Sequence, residues 1–174
     1  MNLFVLDACP DMAARMACDK HVVKMPTETA QILGYIAHRD AELDWSSFPR
    51  RNTDGTPYPY SGAGTHRNHP CTLWAGRTLG TWAWTVQHGL ALCDEYTRRY
   101  GRVHAAEAIV RWFGERSGYL EPGPLLPFVQ CMPEVYFDAD PVVGYRRFYR
   151  GTKASFATWK SPSTPPSWWL DSCP

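Results

Sequence analysis

The sequence predicts a mainly α fold, a compact single helical domain over residues 1–174 with a long central helix and long irregular loops. Three observations predict it. Apolar residues recur at helical spacing along two extended stretches, 12–38 and 70–100. Cap and proline signals precede helical stretches at Asp11, at Asn68 or His69 with Pro70, and at Asp140 with Pro141. The one candidate strand, Leu3 to Leu6, has no obvious partner. A chain of 174 residues suits one domain that buries about 70% of its unfolded surface.

Leu3 to Leu6 is a strand or an extended arm, closed by Asp7, Cys9 and Pro10. Asp11 is positioned to cap a helix from Met12 that runs to about His38, with a kink or a break and restart at Pro26, which lacks a donor and crowds the carbonyl of Val22. Residues 40–68 combine Pro49, Pro57, Pro59, Gly55, Gly62 and Gly64 without periodicity and predict a long irregular loop. From Pro70 to Tyr100, Cys71, Trp74, Trp82, Val86, Leu90, Cys93 and Tyr96 share one broad arc, so this stretch is expected to be the central core helix. A shorter amphipathic helix follows over Val103 to Arg116. Asp140 and Pro141 then open a helix to about Trp159. The tail, 162–174, carries Trp168-Trp169 among prolines and predicts an extended strap.

Composition limits the function. A formal charge of +1 excludes a bulk polybasic nucleic-acid binder but leaves local patches, Arg98-Arg99 with Arg102 and Arg146-Arg147 with Arg150 and Lys153. Eight Trp imply a Trp-rich core first and stacking surfaces second. Six scattered cysteines read as free thiols. The opening residues lack the features of a signal peptide, and no run approaches about 18 apolar residues, so a soluble, cytoplasmic protein without membrane contact is expected. The sequence leaves the oligomeric state open. No glycine-rich phosphate loop, Gly-x-Ser-x-Gly elbow or His-Glu-x-x-His pair occurs.

The chemistry concentrates in residues 18–31. On a helix, His21, Lys24, Glu28, Gln31 and Tyr35 fall within about 80° of the circumference. Val22, Met25, Ile32, Leu33 and Ile36 fill the neighbouring arc, so the polar stripe borders the core. Imidazole, ammonium and carboxylate at this spacing can meet over a substrate and perturb one another. A surface i,i+4 pair is the plainer reading of Lys24 and Glu28, in the weaker order for helix support. Joined by His69 and supplied with positive charge by Lys20, Arg67, Arg146, Arg147 and Lys153, the stripe suits a phosphate-bearing ligand, DNA or a nucleotide. His21, Lys24 and Glu28 are then the catalytic candidates. Lys20, Gln31, Tyr35, Arg67, Asn68, His69, Arg146, Arg147 and Lys153 are the binding candidates. Glu28, flanked by apolar residues, is expected to have a raised pKa and to act as general acid or base, while Lys24 or Lys20 stabilises an oxyanion or forms a Schiff base. No cofactor is required. Two readings stand beside this one: a binding module for nucleic acid or a host protein, and a small zinc protein using Cys18-x-x-His21 with His66-x-x-His69-x-Cys71.

Cys18-Asp-Lys-His-Val-Val-Lys-Met, Glu28-Thr-Ala-Gln31, His66-x-Asn-His-Pro-Cys71, Leu92-Cys-Asp-Glu-Tyr-Thr-x-Arg-Tyr-Gly101, Met132-Pro-Glu and Tyr145-Arg-Arg-x-Tyr149 resemble a family of small proteins recurrent in tailed bacteriophages, which implies phage origin and a host cytoplasm. In size, in the N-terminal segment leading to an acid-bearing helix, and in Asn68-His69-Pro70 before a long helix, the chain is also remotely similar to the pyrimidine-dimer DNA glycosylases. That resemblance implies a glycosylase or lyase in which an N-terminal amine attacks the sugar and a glutamate assists, matched here to Glu28. The chain reads Met1-Asn2 where that family presents its mature terminus.

Overall fold

The computed structural model describes residues 2–40, 42–50, 53–56 and 67–170. As the sequence predicts, the fold is helical, with no strand among these residues. In chain order the elements are α1 (Pro10–Met16), α2 (Asp19–Asp40), α3 (Pro70–Ala75), α4 (Leu79–Tyr100), α5 (Glu107–Gly114), a 3-10 turn (Glu134–Tyr136), α6 (Pro141–Lys153) and α7 (Ser167–Leu170). Helix α4 is the central element and packs against α1, α2, α3 and α5. Its buried face includes Trp82, Trp84, Val86, Leu92 and Cys93, against Val22, Ile32, Leu33 and Ile36 of α2.

The break in the first helical stretch lies at Ala17–Cys18, not at Pro26. Ala17 adopts an extended conformation, with φ −67° and ψ 139°. The buried Arg99 of α4 explains why: its guanidinium donates to the carbonyls of Arg15 at 3.2 Å and Ala17 at 2.9 Å, taking acceptors that a continuing helix would use. The same group pairs with Asp19 at 2.9 Å and Glu95 at 2.6 Å, so it joins α4 to the first residue of α2. Arg99 is therefore no surface contact for nucleic acid, and Arg98 is engaged by Glu95 at 2.7 Å. Helix α1 begins at Pro10 with Cys9 as its N-cap, which makes no side-chain cap; Asp11 sits in the first turn instead. Helix α2 passes through Pro26 as one element. The proline ring leaves nearby carbonyls short of donors, and His104 Nε2–H supplies one to Val23 O at 3.0 Å.

The expected helix over 70–100 is two helices. Gly76 ends α3, and Thr78 caps α4, its hydroxyl accepting from Thr81 N–H at 3.2 Å while Thr81 Oγ1 accepts from Thr78 N–H at 3.1 Å. Gly80 permits this junction. A Cβ there would lie 2.3 Å from the backbone of Pro124 and Leu125. Helix α5 is shorter than expected. Asp140 caps α6, accepting from Val142 N–H at 2.9 Å, but α6 stops at Lys153. Beyond it, Asp19 captures the chain through Thr158 Oγ1 and Lys160 N–H, both at 2.9 Å. The tail runs without regular structure from 162 to α7, residues 171–174 lie outside the described residues, and Trp168 and Trp169 rest edge-on against Tyr149. Of the expected loop at 40–68, residue 41 and residues 51–52 and 57–66 lie outside the described residues. In the described part, Phe48 is fully buried and Trp45 stacks between His38 and Trp112. The tryptophans act as core and as ties for loops: Trp84 Nε1–H donates to Ala8 O and Trp74 Nε1–H to Pro127 O, both at 2.8 Å. Leu3 to Leu6 form a buried arm without a strand partner. Cys9, Cys18, Cys71, Cys93 and Cys131 are free thiols, and Cys173 is outside the described residues.

Candidate active site

The N-terminal arm, the first half of α2 and the last turns of α6 enclose a pocket of about 240 Å3, lined by Asn2, Phe4, His21, Lys24, Met25, Glu28, Phe148 and Lys153. Helical spacing turns His21, Lys24 and Glu28 to one side of α2. The arm crosses this side. Its path is set by the Asn2 side chain: Oδ1 accepts from Leu3 N–H at 2.8 Å and Phe4 N–H at 3.1 Å, and Nδ2 donates to Cys131 O at 2.7 Å. The tight turn holds Phe4 at φ +43°, a conformation that costs a non-glycine residue about 1–3 kcal/mol and is found disproportionately at functional sites. In return the Phe4 ring lies parallel to the His21 imidazole, with centroids 4.4 Å apart.

Glu28 is the centre of the pocket's electrostatics. Its Oε1 is 2.8 Å from Lys24 Nζ, and its Oε2 accepts from the backbone N–H of Asn2 at 3.1 Å. Burial pushes the carboxyl up. The hydrogen bond from Lys24, the charge of the chain's N-terminal ammonium, the Lys24 charge and the Asn2 amide together outweigh burial and hold it below the usual carboxylate value. The sequence expectation of a raised pKa is thereby corrected: apolar neighbours were visible in the sequence, and the second nitrogen was not. Glu28 stands ionised at neutral pH, fit to accept a proton and to stabilise a developing cation.

His21 behaves in the opposite manner. Burial first, then the Lys153 charge, lower its pKa to about 4, with Glu28 opposing and Lys24 adding a smaller push. It is a neutral imidazole near pH 7. Its Nδ1 is 2.6 Å from Tyr149 Oη, which also accepts Cys18 N–H at 2.9 Å. Burial keeps Tyr149 protonated, so the phenol proton goes to Nδ1 and the imidazole proton is assigned to Nε2. Lys153 Nζ lies 4.9 Å from the Phe148 ring centre and 5.6 Å from that of Phe4, a cation over an aromatic wall.

Of the residues expected from sequence, His21, Lys24, Glu28 and Lys153 meet around this pocket. The others do not line it. Lys20 lies over Phe156, 4.6 Å from its centre. Gln31 and Tyr35 sit farther along α2, half-buried and buried. Arg67 and Asn68 are exposed in the turn before α3. His69 caps α3, its Nδ1 accepting from Cys71 N–H at 3.2 Å, so the expected convergence of His69 with the stripe is corrected. Arg146 donates to Leu6 O at 2.8 Å and pairs with Asp7 at 3.1 Å, buttressing the arm from outside the pocket. Arg147 pairs with Asp138 at 3.4 Å. The zinc set drawn from the sequence also separates: Cys18 and His21 both engage Tyr149, and His66 is outside the described residues. Asn2, Phe4 and Phe148 were missed, because contacts such as Asn2 with Glu28 and Phe4 with His21 and Phe148 join distant parts of the chain and leave no local pattern; Met25 was read only as part of the apolar arc beside the stripe.

A family model described as pyrimidine dimer DNA glycosylase matches residues 1–108. The chain belongs to that family. The match takes in the arm and helices α1 to α4, and with them Asn2, His21, Lys24 and Glu28; Phe148 and Lys153 come from beyond it. No curated protein and no solved structure matches the chain. No helix among the described residues is long and apolar enough to cross a membrane.

Proposed function

We propose that the chain is a DNA glycosylase with an associated lyase activity, acting on a damaged pyrimidine site in DNA, with the pocket at Glu28 as its reaction centre. The observation that carries this reading is a single ionised carboxylate bridging two nitrogens, Lys24 Nζ and the backbone nitrogen of residue 2, at the mouth of a pocket with aromatic and cationic walls. In a chain that retains Met1 the nitrogen of Asn2 is an amide, and Lys24 Nζ, 2.8 Å from Glu28, is an amine in reach of the carboxylate. In a chain that has lost Met1, Asn2 carries the amine that the family resemblance implies. In either case Glu28 takes a proton from the ammonium. The freed lone pair attacks C1′ of the deoxyribose, and the base departs with the electron pair of the glycosidic bond. Opening of the sugar ring gives an imine between the nitrogen and C1′. Loss of a C2′ proton then expels the 3′ phosphate, and water releases the enzyme. Glu28 stabilises the cationic sugar and carries these protons. Phe4 and Phe148 offer faces for an extruded base, and Lys20, Lys24 and Lys153 give phosphates a cationic approach.

The test is borohydride trapping on duplex DNA carrying either a pyrimidine dimer or an abasic site. The expected result is strand cleavage and a covalent protein–DNA adduct, which peptide mapping assigns to Lys24 or to the residue 2 nitrogen. Binding without cleavage or adduct would favour the binding-module reading instead.

A further inference from the structure

Outside the pocket, a second group of reactive side chains converges behind the arm. A ring nitrogen of His69, Cys71 Sγ and Cys131 Sγ all lie within 4.8 Å of one another, and the two sulfurs are 3.2 Å apart. Each donor is fixed by scaffold that needs no ligand. His69 is the N-cap of α3, with Pro70 locking the next residue, and Cys71 is buried in its first turn. Cys131 is held by its N–H to Tyr145 Oη at 3.2 Å, while that hydroxyl donates to Val129 O at 2.9 Å.

The chemistry of the set selects its ligand. It contains two sulfurs and an imidazole and no carboxylate, which disfavours calcium or magnesium and suits a thiophilic cation with tetrahedral preference. Ligation by His69 Nδ1 gives up its bond to the Cys71 amide. His69 and Cys131 are partly exposed, so solvent can reach a fourth position.

We propose that His69, Cys71 and Cys131 bind one zinc-class cation through two thiolates and one imidazole, the fourth position being taken by water. Binding releases the thiol protons to solvent. The cation ties the segment around Cys131 to the start of α3. Because Cys131 O accepts from Asn2 Nδ2 at 2.7 Å, the clamp also steadies the arm that reaches Glu28. The site does not depend on the glycosylase reading, since its ligands take no part in that reaction.

The experiment titrates the reduced, chelator-washed full chain with Co2+, followed by Zn2+ competition. One equivalent is expected, with thiolate-to-cobalt charge-transfer bands and the strong visible bands of tetrahedral cobalt, displaced by zinc. Cys131→Ser, at a partly exposed position, should fold as the parent does by circular dichroism and lose the bands. His69→Gln should weaken binding by at least the roughly 10–100-fold that an outer-sphere change produces. Zinc should raise the thermal midpoint of the parent and not that of Cys131→Ser. Absence of saturable binding by the reduced protein, or unchanged affinity in Cys131→Ser or His69→Gln, would overturn the proposal.

Discussion

Replacing Glu28 by Gln separates the chemistry of the pocket from its architecture. The amide keeps the shape and one acceptor oxygen, and it removes the charge that links Lys24 to the arm. Lys24 is 69% exposed, so the lost ion pair is worth no more than about 0.5 kcal/mol. The hydrogen bond from Asn2 N–H changes from a charged to a neutral acceptor, a loss of about 1 kcal/mol. The expected destabilisation is thus about 1–1.5 kcal/mol, or roughly 2–6 °C in the thermal midpoint for a chain of this size. Catalysis should respond far more. General acid–base assistance contributes about 10²–10⁴ in rate, which is about 3–5 kcal/mol of barrier, and the cationic sugar also loses its counter-charge. Single-turnover cleavage of a duplex with one lesion, at saturating enzyme, reads the chemical step without interference from affinity. A rate within about tenfold of the parent, or an undiminished borohydride adduct, would refute the assignment of Glu28. A midpoint drop well beyond about 6 °C would mark Glu28 as a structural tie.

Three further outcomes follow from the same geometry. Acidification should destabilise the fold: His21 and His88 have folded pKa values of about 4 and about 3, both lowered chiefly by burial, against 6.5 unfolded. The unfolded chain therefore binds more protons below pH 6.5, and stability lost between pH 7 and pH 5 should reach about 2 kcal/mol for each histidine by linkage. Glu28 adds to this only below its unfolded value of about 4.5, since its stabilisation is present above that pH and is lost as pH falls toward the lowered folded pKa. Urea midpoints across pH 4–8 check this, and a flat profile from 7 to 5 would contradict it. Tyr149→Phe should cost about 1–3 kcal/mol, because Cys18 N–H loses its buried acceptor and His21 Nδ1 its donor; chemical denaturation measures the loss, and a change below about 0.5 kcal/mol would remove the hydroxyl from this network. Arg99→Met should cost about 3 kcal/mol, the lower end of the range for breaking a buried pair, because Glu95 retains Arg98 and Asp19 retains Thr158 and Lys160, while Asp19 loses its cationic partner and the carbonyls of Arg15 and Ala17 lose their donor. A fully stable Met variant would show that α1 and α2 are joined by packing alone.

The sequence discloses what is periodic and conceals what is brought from afar. The stripe of His21, Lys24 and Glu28 was legible because three side chains on one helix share a side by geometry alone. Lys153 was legible as charge, though its neighbours Arg146 and Arg147 carry the same charge and point to Leu6, Asp7 and Asp138 instead. Nothing in the local pattern distinguishes them, because the choice is made by which acceptors the arm presents to α6. The misplaced break in the first helix has the same origin. Pro26 is the strongest local breaker in that stretch, yet the helix ends at Ala17, where Arg99, more than 80 residues away, takes two carbonyls. Local propensity yields here to a buried charge that must find partners. Asn2 is the clearest case. An asparagine near a terminus reads as polar surface, but it is buried, makes three side-chain hydrogen bonds and places its backbone nitrogen on Glu28. Its side chain shapes the arm while its main chain completes the electrostatics of the carboxylate. If the side chain sets that position, Asn2→Ala should lower the cleavage rate through arm disorder, since the three side-chain hydrogen bonds go to Cys131 O and to the amides of Leu3 and Phe4. An alanine variant with parental activity would assign the placement to the buried Leu3, Val5 and Leu6 instead.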